Sequence, residues 1–81
     1  MQKLAVGGMY RHYKGSMARV ICEAKHSETL EDMVIYVHLE DGGIWARPKA
    51  MFLEKVMHEG KKVDRFKQIP FKLKIRPRGK K

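Results

Sequence analysis

The sequence has one cysteine, three prolines, one tryptophan and no apolar run near the ~18 residues that a membrane-spanning helix needs. Each scarcity excludes something. Cys22 has no partner for an internal disulfide and belongs to no CxxC pair, and six methionines are tolerated, which suits a reducing cytoplasm. The opening MQKLAVGGM breaks at Gly7-Gly8, where a secretory signal requires about 7 to 15 apolar residues. A soluble cytoplasmic protein is expected, with no membrane partner. At 81 residues, 43% of them hydrophobic, the chain suits one domain of modest stability, a monomer or a weak homodimer.

Acid is also scarce, but only at one end. Residues 1–60 carry eight Lys or Arg and eight Asp or Glu, so this part is neutral. Residues 61–81 carry Lys61, Lys62, Arg65, Lys67, Lys72, Lys74, Arg76, Arg78, Lys80 and Lys81 against Asp64 alone, and so hold the whole excess of +9. A neutral body with a cationic arm fits a polyanion partner, because each cation placed at a phosphate releases condensed counterions without needing a shaped pocket. Those ten residues are the candidate contacts to RNA or DNA. Phe66 and Phe71 interleave with Arg65, Lys67 and Lys72, a mixture suited to single strands, in which rings stack on bases while cations follow the backbone. The plain alternative is a solvated tail that aids solubility.

The rest of the chain reads as short strands. GMYRHY, Gly8 to Tyr13, lies between glycine-bearing turns, and MARVICEA, Met17 to Ala24, is its expected hairpin partner. His26 to Asp32 reads as a turn, with Thr29 and Asp32 at capping-box spacing. In MVIYVHL, Met33, Ile35, Val37 and Leu39 alternate with Val34, Tyr36 and His38, which is the clearest strand signal. Asp41-Gly42-Gly43 predicts a hairpin into Ile44 to Arg47, Pro48 opens a helical turn through Phe52, and Leu53 to Met57 makes a fifth strand. About five strands and one helical turn predict a mainly β protein, a small antiparallel barrel over 1–68. Residues 69–81 are expected to form a basic extension: a strand from Ile69 to Ile75, limited to a sheet edge by Pro70 and Pro77, then a disordered tail.

In chain order, YRHYKG at Tyr10 to Gly15, HSET at His26 to Thr29, VIY at Val34 to Tyr36, WARP at Trp45 to Pro48, MF at Met51-Phe52 and GKKVDRF at Gly60 to Phe66 resemble the pattern of a bacterial family, domain of unknown function 1653. The resemblance covers about Gly8 to Phe66. It implies an SH3-like barrel and no activity, and it leaves the segment after Ile69 outside the pattern.

Period two puts Tyr10 with His12, Tyr36 with His38, and Trp45 with Arg47 on single strand faces. If these faces converge, Tyr10, His12, Tyr36, Trp45 and Arg47 line a pocket for a small anionic or planar ligand, or for a protein segment. The alternative makes the aromatics ordinary core and ties Arg47 to a backbone carbonyl or to Glu28. No metal site is expected, since His12, His26, His38 and His58 show no ligand spacing and Cys22 stands alone. No cofactor is expected, because no glycine lies in a phosphate-cradling motif. His26, Ser27 and Glu28 have the residue types of a hydrolytic triad, but as sequence neighbours they are better explained as a turn, so no catalytic residue is assigned. Cys22, mid-strand in an apolar run, is expected to be buried and inert. Two functions follow: a non-catalytic nucleic-acid-binding module working through the basic arm, or a ligand-binding adaptor working through the aromatic face.

Overall fold

The computed structural model describes residues 3–70. In chain order its elements are β1 (Met9–His12), β2 (Met17–Lys25), β3 (Asp32–His38), β4 (Ile44–Pro48), α1 (Lys49–Leu53), β5 (Lys55–His58), β6 (Lys61–Asp64) and β7 (Phe66–Ile69). Five strands form one antiparallel sheet in the order β4-β3-β2-β1-β7, and β5 pairs with β6 as a separate hairpin. This is the expected small, mainly β fold with one short helix. Among the described residues the large sheet has β4 and β7 as its end strands, so the expected barrel does not close through a continuous ladder.

The alternation read in MVIYVHL decides which face goes inward. Val34 and Tyr36 are buried, and the cross-strand partners Val20–Tyr36 and Tyr10–Ala18 put Tyr10, Ala18 and Val20 on the same inner face. Phe52 and Leu53 from α1 and Phe66 from β7 complete the core. Phe52 and Phe66 stack with ring centroids 4.1 Å apart and planes 4° apart, and Tyr10 meets Phe52 edge-on at 5.3 Å. The Tyr10 hydroxyl accepts a hydrogen bond from the Ala5 amide at 2.9 Å, so the polar tip of this buried ring is satisfied.

The turns follow their chemistry. At the β3–β4 connection Gly42 has φ +74° and Asp41 Oδ1 accepts from the Gly43 amide at 2.9 Å. The His26–Glu31 connection is a turn, but Thr29 Oγ1 accepts from the Glu31 amide instead of capping Asp32, and His26 Nδ1 accepts from Glu28 and Thr29. Pro48 is the residue before the first helical turn, with ψ 136°, not its first member. The β5–β6 turn is two residues long, Glu59-Gly60, both at positive φ (52° and 79°), which is the primed geometry that matches strand twist.

Three expectations need correction. Cys22 is exposed: a register shift between Val20 and Cys22 breaks the alternation of β2, and everything from Ile21 to Lys25 is exposed. The strand β6 was not expected at all. The strand expected at 69–75 has only Ile69 in β7, which begins earlier at Phe66 and crosses the expected division at 68–69. The remainder of that expected strand beyond Pro70, and the tail with Lys72, Lys74, Arg76, Arg78, Lys80 and Lys81, lie outside the described residues. No helix among the described residues is long and apolar enough to cross a membrane.

Candidate nucleic-acid interface

Where the end of β1 and the start of β7 approach the β5–β6 hairpin, a cleft of about 380 Å³ opens, lined by Arg11, His12, Tyr13, Lys55, His58, Lys62, Val63, Asp64 and Lys67. Two backbone bonds hold its walls together: the Tyr13 amide donates to the Arg65 carbonyl at 2.9 Å, and the Arg65 amide donates to the Glu54 carbonyl at 3.0 Å. The single acid, Asp64, is neutralised by Lys55 at 3.0 Å across the hairpin. Arg11, Lys62 and Lys67 make no ion pair with any described residue and are exposed, Arg11 lying directly opposite Lys67 in the sheet. Like charges so placed repel one another until an anion lies between them. The cleft is thus arranged to take negative charge.

A series of ring contacts leads out of it. His58 meets Tyr13 at 5.1 Å, Tyr13 meets His12 at 4.6 Å, and His12 meets Phe66 edge-on at 4.9 Å. Tyr36 lies 5.5 Å from Phe66 and 6.1 Å from His38, and His38 lies 6.3 Å from Trp45. Register explains the order, since His12 pairs with Phe66 and Tyr36 with Trp45 across adjacent strands, so all four project from the inner face. Tyr10 and Tyr36 are 0% and 3% exposed. They are therefore floor and core, which favours the ordinary-core alternative for these two aromatics over the pocket-wall one.

His12, Trp45 and Arg47 do come to one rim. Arg47 pairs with neither a carbonyl nor Glu28: its Nε donates to the Tyr36 hydroxyl at 3.4 Å and its Cζ lies 5.8 Å from the centre of the Phe66 ring. His12 Nδ1 accepts from the Lys14 amide at 3.1 Å, which places the proton of the neutral ring on Nε2. Burial first, and then the charges of Arg47, Arg65, Lys14 and His38, hold the His12 pKa below the ordinary imidazole value. The rim is therefore electropositive before any ligand arrives.

The other expected contacts divide. Lys61, Lys62 and Lys67 are exposed on β6 and β7. Arg65 is not available in the same way, because its side chain is 19% exposed and its Nη2 is tied to Glu54 Oε2. Sequence reasoning missed Arg11, Tyr13 and His58 as members of the cleft. The signal that would have found them is the Glu59-Gly60 hairpin, which folds Lys62 back beside β1.

A family model described as a protein of unknown function, DUF1653, matches residues 8–68. The chain belongs to this family. The crystal structure of a DUF1653 protein from Bordetella bronchiseptica is similar, with a TM-score of 0.75 and 29% identity, covering 85% of this chain and 91% of that one. Comparison with the curated proteins gave no match. The cleft and the ring series lie within the DUF1653 match, whereas the arm from Ile69 onward lies beyond it. Because the family has no assigned function, the chemistry of the cleft has to carry the functional argument.

Proposed function

We propose that this DUF1653 protein is a non-catalytic, cytoplasmic module that binds RNA or single-stranded DNA with little base specificity. The observation that supports this reading is the three unpaired cations Arg11, Lys62 and Lys67, set around a cleft whose only acid is already neutralised. Phosphates are the natural counterions for such a site, and the two adjacent rings, Tyr13 and His58, offer surfaces for bases. Lys61 and the arm residues Lys72, Lys74, Arg76, Arg78, Lys80 and Lys81 add charge that needs no fixed geometry to act on a polyanion.

The test is fluorescence anisotropy of the full-length protein with labelled single-stranded RNA and DNA across a salt series. With about six phosphates engaged, log K falls against log salt with a slope of about −4 to −5.5. Lys62→Glu together with Lys67→Glu weakens binding by on the order of 10- to 100-fold and flattens the slope by about 1.5. A full-length variant with the six arm cations changed to Gln measures the arm separately. If wild-type protein ignores nucleic acid at low salt, the reading fails and the adaptor reading built on Trp45 and Arg47 takes its place.

A further inference from the structure

Trp45 is the chain's only tryptophan, and it is 56% exposed on an end strand of the sheet. A single exposed ring is ordinary on a protein surface, so what marks Trp45 is its placement: the register that pairs it with Tyr36 directs it along the inner face. Its charged neighbourhood is mixed: Asp41 Oδ1, which accepts from the Gly43 amide, borders the same space beside Gly43 as the indole Nε1, while the other groups near the ring are basic. His38 lies 6.3 Å from it between ring centres, Arg47 is two residues along the same strand face and makes no ion pair with a described residue, and His12 and Arg47 both contact the Phe66 ring. His12 also lines the basic cleft and touches the same Phe66 ring as Arg47, so it links the cleft to the Trp45 corner.

We propose that Trp45 is the stacking platform for a base of a single strand whose phosphates run from the Arg11–Lys62–Lys67 cleft past His12 to Arg47. This assignment rests on the nucleic-acid reading above and adds to it a reason to prefer single strands. In a duplex the bases are stacked on one another and cannot reach Trp45, whereas a single strand turns a free π-face toward it while its backbone follows the cations. Arg47 is set for a phosphate: its Nε donates to the Tyr36 hydroxyl and its Cζ lies over the Phe66 ring, which leaves the two terminal nitrogens to form a fork. The buried rings of Phe66 and Tyr36 are the rigid floor beneath this track and do not themselves stack on bases.

Because there is one tryptophan, its fluorescence reads the proposed contact directly. The probes are a single-stranded oligonucleotide of about 12 residues, a duplex of the same length and inorganic polyphosphate, all titrated into full-length protein. The single strand quenches Trp45, while duplex and polyphosphate bind without quenching. Trp45→Ala lowers single-strand affinity by about 5- to 100-fold and leaves duplex and polyphosphate affinity within twofold, and Trp45→Phe recovers most of the loss. Binding of the single strand with unchanged fluorescence and an indifferent Trp45→Ala variant overturns the platform but leaves the nucleic-acid reading intact. Failure of all three polyanions to bind overturns both. Quenching by a small aromatic carboxylate or a peptide, but not by any oligonucleotide, assigns the corner to the adaptor function instead.

Discussion

Two clefts formed by described residues are similar in size and opposite in charge. One, of about 470 Å³, is lined by Glu31, Asp32, Lys49, Ala50, Leu53 and Glu54; the other, of about 380 Å³, is the basic cleft beside the β5–β6 hairpin. In the acidic groove nearly every charge is already paired: Asp32 with Lys25 at 2.7 Å, Lys49 with Glu23 at 3.1 Å, and Glu54 with Arg65, while Glu31 makes no ion pair with a described residue. In the basic cleft Lys55 is paired and His58 lies 3.8 Å from Glu59, but Arg11, Lys62 and Lys67 make no ion pair with a described residue. Volume favours the wrong candidate. Charge without a partner is what an incoming polyanion neutralises, and it is concentrated on one side.

Both clefts depend on one stacked pair. Phe52 belongs to α1, which lines the acidic groove, and Phe66 begins β7, which lines the basic one. Removing Phe52 therefore damages both at once. Phe52→Ala is expected to cost about 3 to 5 kcal/mol, a large share of the roughly 4 to 12 kcal/mol available to a chain this short. Chemical denaturation measures it, and Phe52→Leu gives a folded comparison if the alanine variant collapses. A loss under 1 kcal/mol would mean that the stack does not join the two halves.

Arg65 separates the two kinds of charge next. It was counted in the sequence among the phosphate contacts, yet it is the cation that neutralises the acidic groove's Glu54, and its Nε is buried without a hydrogen-bond partner. Arg65→Gln should thus lower stability by about 1.5 to 3 kcal/mol while barely changing the salt slope of binding. If it flattens that slope as much as Lys67→Gln does, Arg65 belongs to the basic cleft after all.

How far the sequence showed this division depends on the element. Val34, Tyr36 and the Asp41-Gly42-Gly43 turn were legible because alternation and a glycine at positive φ act locally. The β5–β6 hairpin was not, because its turn puts Glu59, a residue that rarely takes positive φ, beside Gly60, and KKVD has no apolar alternation to mark a strand. Without that hairpin, Lys62 looked like the start of a tail when it is a wall of a cleft. The same distance from local pattern explains Cys22, whose exposure follows from a bulge that period-two counting passes over. The spacing put Trp45 and Arg47 on one strand face, and left open whether that face meets the one carrying His12. The burial of Tyr10 and Tyr36 was one of two readings the sequence offered, and α1 and β7, which complete the core around them, decide it.

The smallest expected effect is the one that tests the basic side alone. His12 titrates below its ordinary value of 6.5 because burial and the charges of Arg47 (β4), Arg65 (before β7), Lys14 (after β1) and His38 (β3) all oppose its protonation. Between the folded and unfolded pKa values the unfolded chain binds more protons, so the contribution of His12 to stability is intact above about pH 6.5 and is lost as pH falls below that value. Asp32 titrates in a different range, because its hydrogen bond to Lys25 holds it below 3.8. Binding moves the other way: a phosphate beside His12 favours its charged form, so affinity for nucleic acid rises over the same interval in which the free fold weakens. His12→Asn keeps an acceptor for the Lys14 amide and removes the titration, and it should flatten both curves from pH 7 to pH 5 at constant salt. If both curves keep their slopes in that variant, His12 does not couple the cleft to the cationic rim around Arg47.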